Sequence, residues 1–250
     1  MMLANILYTR PTIEQALSAL DKSRLKLPVL NPRALFDDFE SQPVTLVELS
    51  QGPWSSPVAD TVMLAKFAMC AKPKRVLEVG SYRGFTTKML ARHTAEDARI
   101  VAFDRDPRHG EAYRGTAWEA KIERRVGDMC EEAFVQDMPG SYDLIFLDAD
   151  HSYDAVKRDT EILLPLIAKD GLFIWHDYAN WGRFSRKNGV PEYLHECSRN
   201  IPIANVNGSW LAVYSPAWAS TDGIELFNRA CNSDADKAGT DPWTIEVVRG

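Results

Sequence analysis

The stretch that decides the fold is RVLEVGSYRGFTT, residues 75–87. Residues 75–79 form a short apolar segment that ends at Gly80, which is typical of a buried strand. Gly80 and Gly84 bracket a tight turn, and residues 85–92 then have helical spacing. A strand, a glycine loop and a helix N-terminus in this order form the usual ligand site of an open α/β sheet.

The glycine loop lacks the dinucleotide fingerprint G-x-G-x-x-G, because three residues separate its only two glycines. The segment 78–84, EVGSYRG, instead resembles motif I (E/D-x-G-x-x-x-G) of class I S-adenosylmethionine-dependent methyltransferases. The glycines are expected to let this cofactor approach the backbone, where a Cβ would block it. The alternative is an ordinary βα turn. The residues that the resemblance places at the cofactor are Glu78, Gly80, Ser81, Tyr82 and Gly84.

Strands and helices alternate from residue 75 onward, which predicts an α/β fold with a Rossmann-like, doubly wound sheet. The sheet is expected to have seven mostly parallel strands and an antiparallel closing hairpin, which Asn207-Gly208 would turn. The predicted strands are 75–79, 99–104, 122–126, 142–148, 171–176, 203–206 and 210–214. The predicted helices are 85–92, 111–120, 131–136, 153–168 and 190–198.

This methyltransferase-like domain is predicted to span residues 57–214, with an N-terminal helical extension (1–56) and a C-terminal tail (215–250). Residues 12–25 have the pattern of an amphipathic helix, and a short helix is expected near 33–39. A further helix should run from Ser56-Pro57 to Cys70. The tail either packs over the domain or belongs to a homodimer contact.

Composition excludes several function classes. The 250 residues carry a formal net charge of -6, which argues against a nucleic-acid partner. The four cysteines have no C-x-x-C spacing, which predicts free thiols in a reducing compartment. No signal peptide and no apolar run of the ~20 residues that a membrane span needs are visible, so a cytoplasmic protein without a membrane partner is expected.

Acidic residues follow the predicted strands one after another, where an α/β fold places its ligand. Asp104 ends the second of these strands and could accept both ribose hydroxyls of a nucleoside. Asp128 and Met129 follow the third strand. The methyltransferase resemblance implies that Asp128 binds the adenine amino group and that Met129 packs on the ring. Each acid alone would be read as a solvated turn or a helix cap.

The next two strands end in a second polar group, with Asp148, Asp150 and His151 after one strand and His176 and Asp177 after its neighbour. Several ionised carboxylates cannot crowd together without a cation or a proton. A hard cation such as Mg²⁺ suits oxygen ligands, whereas an imidazole ligand also permits Mn²⁺, Fe²⁺ or Zn²⁺.

This pattern resembles metal-dependent O-methyltransferases of the catechol type and the bacterial sugar O-methyltransferases with their cephalosporin-hydroxylase-like relatives (D-A-D-H-S-Y followed by H-D-Y). The resemblance implies that Asp148 serves the cofactor and the metal, with His176 and Asp177 as further metal ligands. It places the general base at Asp150 or His151. The sequence departs from the pattern at His176, where the family has an acid, and at Tyr178, where catechol-type enzymes have Asn.

Three interpretations of this second group stay open: metal-assisted catalysis, metal-free catalysis with His176 as the base, and a mainly structural role. The first predicts O-methylation of a small molecule, such as a natural product, a sugar or a phenol. A metal-independent N- or O-methyltransferase with a histidine base, and a non-catalytic S-adenosylmethionine-binding protein, are the alternatives. The aromatic residues that could wall an acceptor pocket are Trp175, Tyr178, Trp181, Phe184 and Tyr193.

Overall fold

The computed structural model describes residues 26–46, 56–130, 134, 136–180, 188–233 and 245–247. The helix predicted over 12–25 lies outside these residues, as do most of the helix predicted over 131–136 and the aromatic residues Trp181 and Phe184.

Ten strands and five α-helices make up the described structure. The strands are β1 (Val29–Leu30), β2 (Val44–Leu46), β3 (Arg75–Val79), β4 (Arg99–Asp104), β5 (Ile122–Val126), β6 (Tyr142–Leu147), β7 (Ile167–Trp175), β8 (Ala204–Val206), β9 (Ala212–Tyr214) and β10 (Ile245–Val247). The helices are α1 (Val58–Ala71), α2 (Phe85–His93), α3 (Tyr153–Leu163), α4 (Val190–Cys197) and α5 (Thr221–Asn232).

The main sheet has the order β1-β8-β9-β7-β6-β3-β4-β5. Its pairings are parallel except where β9 meets β7 and β8, so the predicted doubly wound sheet and its closing hairpin are confirmed. An eighth strand joins the predicted seven because Val29 and Leu30 pair with β8. Strands β2 and β10 form a separate parallel pair.

Two predicted helices differ from the structure. Residues 111–118 form turns that lead into a 3₁₀ helix, Glu119–Lys121, because Gly110 and Gly115 have the positive φ angles of 91° and 72° that end regular helix. The helix predicted over 153–168 ends at Leu163, because Pro165 lies in the following 3₁₀ turn, and β7 already begins at Ile167.

The core consists of one apolar layer on each face of the sheet. Side chains of β3 alternate between them, with Val76 in the layer under α1, α2 and α5, and Leu77 in the layer under α3 and α4. In the tail, Trp218 and Phe227 lie 5.0 Å apart between ring centroids and are buried in the first layer. Residues 216–232 of the tail therefore pack over the domain, as one of the two alternatives has it, and the homodimer contact stays a prediction.

The segment between residues 26 and 46 is also fixed to this first layer. Lys66 of α1 is 2% exposed and donates hydrogen bonds to the backbone carbonyls of Phe39, Glu40 and Gln42. A buried lysine is tolerated here because three carbonyl oxygens replace its water. None of the helices in the described part of the chain is long and apolar enough to cross a membrane.

Candidate active site

The glycine loop is shaped by its protein neighbours. Gly80 and Gly84 have φ angles of 92° and 85°, which disfavour any side chain. A Cβ on Gly80 would lie 2.0 Å from the carbonyl oxygen of Asp148, and a Cβ on Gly84 would lie 2.6 Å from the Tyr113 ring. The two glycines therefore let the loop touch the neighbouring strand end and Tyr113. That they also let a ligand approach the backbone stays a prediction.

Three buried polar atoms lie around this loop without a hydrogen-bond partner among the described residues: Glu78 Oε2, Thr87 Oγ1 and Tyr113 OH. Glu78 is 1% exposed. Burial, with the nearby charges of Asp148 and Asp104, raises the pKa of Glu78 to about 8. An unsatisfied buried oxygen costs free energy unless a donor reaches it. This position therefore fits a ligand that carries a donor, such as the amino group of S-adenosylmethionine.

Asp104 lies at the end of β4 beside the same loop, as predicted. Its Oδ2 accepts the backbone N–H of Tyr82 at 2.7 Å, and its Oδ1 accepts that of Asp106 at 2.8 Å and contacts Nδ1 of His109 at 2.9 Å. A carboxylate has about four acceptor sites, so one remains on Oδ2. His109 was not predicted, because only the turn after β4 brings it back to Asp104.

Two of the other predicted cofactor residues, Ser81 and Tyr82, lie in this loop, and Asp128 and Met129 follow β5. Ser81 is buried, and Tyr82 is 38% exposed with its ring packed edge-on against His109. Asp128 is exposed, while Met129 is partly buried against the second apolar layer. Their predicted contacts with the cofactor stay predictions.

A cluster of acidic and imidazole groups lies where β6 and β7 end. The ligand atoms of Asp148, His151 and Asp177 all lie within 4.8 Å of one another. Nε2 of His151 is 3.0 Å from Asp177 Oδ2 and 3.3 Å from Asp148 Oδ1. Two carboxylates and one imidazole that converge in this way can hold a divalent cation, so the residues present fit a metal.

His176 lies behind this cluster and is 5% exposed. Its Nε2 is 3.0 Å from Oδ2 of Asp60, and its Nδ1 is 3.2 Å from Asp148 Oδ1 and 3.5 Å from Asp177 Oδ1. Nδ1 has no partner in hydrogen-bond geometry among the described residues. The predicted trio Asp148, His176 and Asp177 is thus gathered in one place, and His151 joins it on the more exposed side.

Asp60 was not predicted as a site residue. It lies in the first turn of α1, is 2% exposed and also accepts the backbone N–H of Trp210 at 3.1 Å. The available signal was an acid among apolar residues of a helix, which is unusual on a buried face. An acid in a first helical turn is also common for electrostatic reasons, so the signal is weak.

Within the cluster, carboxylates and imidazoles shift each other's pKa values in opposite directions. Burial disfavours a charged His176, but Asp148 and Asp177 outweigh it and raise the pKa of His176 well above its ordinary value. The same balance raises the pKa of His151. Burial opposes ionisation of Asp148 and Asp177, yet the two imidazoles hold both carboxyl pKa values below the ordinary range. Protons on imidazoles therefore supply positive charge that a cation could replace.

The backbone of Asp177 has a left-handed conformation, with φ at 59°. Asn180 donates a hydrogen bond to its Oδ1 at 2.8 Å, and Asn188 donates one to its carbonyl oxygen at 2.7 Å. Such a conformation is uncommon for a residue other than glycine and clusters at functional sites. The two amides thus help to hold the Asp177 carboxylate toward His151.

Two other groups of predicted residues lie differently. Asp150 is exposed, and its Oδ1 accepts the backbone N–H of Ser152 at 2.8 Å, as in a turn before α3. Trp175 donates to Thr160, and Tyr178 accepts the backbone N–H groups of Lys26 and Leu27. Both rings are buried, and Tyr193 is buried beside them in the second apolar layer, so these aromatic residues pack the core.

Comparisons with known proteins find similarity to methyltransferases. A family model described as a methyltransferase domain matches residues 77–178. The chain is 34% identical over 91 residues to a catechol O-methyltransferase of Mycobacterium tuberculosis, a match that covers 35% of this chain and 41% of that protein. It is 27% identical over 187 residues to a caffeoyl-CoA O-methyltransferase of Populus kitakamiensis, which covers 71% and 79% of the two chains.

Among solved structures, an S-adenosylhomocysteine-bound methyltransferase of Podospora anserina has a similar fold, with a TM-score of 0.55 and 20% identity over 85% of this chain and 99% of that one. The matched domain begins in β3 and ends just after the acid and imidazole cluster, so it contains both the glycine loop and the strand-end acids. Residues 77–178 of the chain thus match a methyltransferase domain, and the structure has the fold of a solved methyltransferase.

Proposed function

We propose that the protein transfers the methyl group of S-adenosylmethionine to a hydroxyl oxygen of a small molecule, with a divalent cation held by Asp148, His151 and Asp177. The observation that carries this proposal is the convergence of these three side chains within 4.8 Å. The cluster lies beside the glycine loop, because the Asp148 carbonyl contacts Gly80. The cofactor's methyl group and the acceptor would thus meet at one edge of the sheet.

Each residue has a role in this proposal. Glu78 and the loop amides bind the amino-acid end of the cofactor, and Asp104 binds its ribose. Asp148, His151 and Asp177 would hold Mg²⁺ or Mn²⁺, which when bound lowers the pKa of an acceptor hydroxyl and aligns it. With His151 engaged in this way, the exposed carboxylate of Asp150 is the remaining candidate to accept the hydroxyl proton.

The acceptor class follows from the open side of the cluster and from the relatives. His151 is 34% exposed, so the ligand atoms can be reached from solvent. Two relatives carry the names catechol and caffeoyl-CoA O-methyltransferase, and both names denote phenolic acceptors. A phenol with two neighbouring hydroxyls is therefore the first acceptor to test, since it can offer two oxygens to one cation.

A metal-free variant of the same reaction has one observation in its favour. Both imidazoles already pair with the carboxylates, so a proton on His176 offsets part of the carboxylate charge without a cation. In this variant a neutral His151 accepts the hydroxyl proton, and Asp148 and Asp177 stabilise the imidazolium that forms.

The test is release of S-adenosylhomocysteine with catechol, caffeoyl-CoA and a monohydroxy phenol as acceptors. The protein is treated with EDTA, and Mg²⁺ or Mn²⁺ is then restored. We expect turnover that EDTA abolishes and the metal restores. We also expect a loss of at least about 100-fold in Asp177→Asn, because a charged carboxylate ligand is replaced by a neutral amide while Asn still tolerates the left-handed backbone. Unchanged turnover after EDTA would favour the metal-free variant, and Asp177→Asn would then lose far less.

A further inference from the structure

Asp60 lies outside the segment 77–178 that matches the methyltransferase domain. It is nevertheless in direct contact with the strand-end cluster, since its Oδ2 is 3.0 Å from Nε2 of His176 across 116 residues of sequence. We propose that Asp60 is a positioning residue that holds the His176 imidazole with Nδ1 facing Asp148 and Asp177, and so adds a second nitrogen to the metal donor set. This inference rests on the proposed function.

Each of the two carboxylate oxygens of Asp60 has its own partner. Oδ1 accepts the backbone N–H of Trp210 at 3.1 Å, which can only donate. Oδ2 faces His176 Nε2. Asp60 is assigned as a carboxylate that accepts this hydrogen bond, which places a proton on Nε2. Because Asp60 and His176 are 2% and 5% exposed, bulk water does not compete for the contact.

A proton on Nε2 leaves Nδ1 as the nitrogen that can bind a metal. Nδ1 is 3.2 Å from Asp148 Oδ1 and 3.5 Å from Asp177 Oδ1, and it lacks a well-oriented hydrogen-bond partner in the described structure. Ligating histidines commonly donate their other ring N–H to a carboxylate, which fixes the tautomer and the ring orientation. Asp60, His176 and the cluster have this arrangement.

The position of Asp60 makes this arrangement rigid. Helix α1 is buried from Val62 to Ala68 in the first apolar layer, so the Asp60 backbone has little freedom. Trp210 lies just before β9, and β9 pairs with β7, the strand that His176 directly follows. The Asp60 carboxylate therefore contacts two residues of the same sheet edge, Trp210 and His176.

The donor set that results has two carboxylates and two imidazoles. Mg²⁺ prefers oxygen ligands, whereas Mn²⁺ and Zn²⁺ accept imidazole readily. We therefore expect Mn²⁺ to bind this protein more tightly than Mg²⁺ does, and this preference to weaken when Asp60 is replaced.

The test uses Asp60→Asn in the full chain, with Mn²⁺ binding measured by electron paramagnetic resonance. An asparagine has one acceptor oxygen in place of two, so the fixed N–H of Trp210 takes it and an NH₂ group faces Nε2. The imidazole must then carry its proton on Nδ1, toward the carboxylates. We expect Mn²⁺ affinity to fall about 10–100-fold, with the affinity for S-adenosylhomocysteine unchanged.

The control variant is Asp137→Asn, which removes another buried carboxylate, one that pairs with Arg125 and Tyr142 away from the cluster. It should leave Mn²⁺ affinity unchanged. Equal Mn²⁺ affinity in wild type and Asp60→Asn would overturn the role of Asp60 but leave the proposed function intact. A wild type that binds no Mn²⁺ would instead overturn the metal site and this inference together, while methyl transfer could still be measured.

A spectroscopic measurement on the wild type keeps the inference testable if Asp60→Asn does not fold. Histidine-selective ¹⁵N labelling gives only five imidazoles, and His176→Gln assigns the relevant signals. With the diamagnetic ion Zn²⁺ added, we expect His176 to carry its proton on Nε2 and to bind metal through Nδ1. A proton on Nδ1 in the presence of Zn²⁺ would overturn the inference.

Discussion

Glu78 shows how one buried group can make the free energy of unfolding depend on pH. Its carboxyl pKa is 4.5 in an ordinary environment and about 8 in the folded protein, chiefly because it is buried. Between these values the folded chain keeps a proton that the unfolded chain has lost. The free energy of unfolding therefore falls as the pH rises from about 4.5 to 8, by up to about 1.4 kcal/mol per pH unit.

Glu78→Gln should remove this dependence, because its amide resembles the protonated acid and does not titrate. We expect the variant to match the wild type near pH 5 and to be the more stable of the two at pH 8. Urea unfolding of both proteins, without cofactor, at pH 5, 6.5 and 8 measures the difference. A difference that stays constant over this range would show that Glu78 titrates normally.

The contact between the glycine loop and the end of β6 links the cofactor site to the acid cluster. Gly80→Ala would place a Cβ 2.0 Å from the Asp148 carbonyl oxygen, at a φ of 92°. Gly115 is a matched control, because its φ is 72° and nothing lies within 4 Å of a Cβ there. Both changes carry the left-handed backbone cost of about 1–2 kcal/mol, but only Gly80→Ala adds a collision.

We therefore expect Gly115→Ala to lower the free energy of unfolding by that amount and to leave S-adenosylhomocysteine binding unchanged. Gly80→Ala should lose more stability and also bind S-adenosylhomocysteine at least tenfold more weakly, since the backbone of Asp148 has to move. Urea unfolding and calorimetric titration measure the two effects. If both variants lost the same stability and bound S-adenosylhomocysteine equally well, the contact between the loop and β6 would contribute to neither quantity.

In the whole molecule, segments at both ends of the chain complete the core that carries the site. Leu30, Leu46, Trp218 and Phe227 are buried in the same apolar layer as α1. Helix α1, which carries Asp60, packs in this layer, and Asp60 contacts His176 of the cluster. The methyltransferase-like domain predicted from the sequence spans residues 57–214, so it contains neither end segment.

How far the sequence predicts the structure depends on how local each cause is. The sequence predicts β3, β4, β6 and the second half of β7 because each contains an apolar run beside turn residues, and parallel topology places the acids that follow these strands at one edge of the sheet. The helix over 111–120 was wrong because two glycines with positive φ outweigh its helical spacing.

The candidate site was predictable to the same degree. Asp148, His176 and Asp177 come together because they end neighbouring strands. That His151 Nε2 reaches Asp177, and that Asp60 reaches His176, depends on the docking of helices and loops far apart in sequence. No local pattern encodes such contacts, since they arise only when the apolar layers pack.

The central claim is that one edge of this sheet binds both S-adenosylmethionine and a divalent cation. The most direct test is calorimetric titration of wild type and Asp177→Asn with S-adenosylhomocysteine and, separately, with Mn²⁺. We expect both proteins to bind S-adenosylhomocysteine with similar strength, and only the wild type to bind Mn²⁺ with one site. Mn²⁺ binding that persists unchanged in Asp177→Asn would contradict the metal site, and a wild type that does not bind S-adenosylhomocysteine would contradict the whole account.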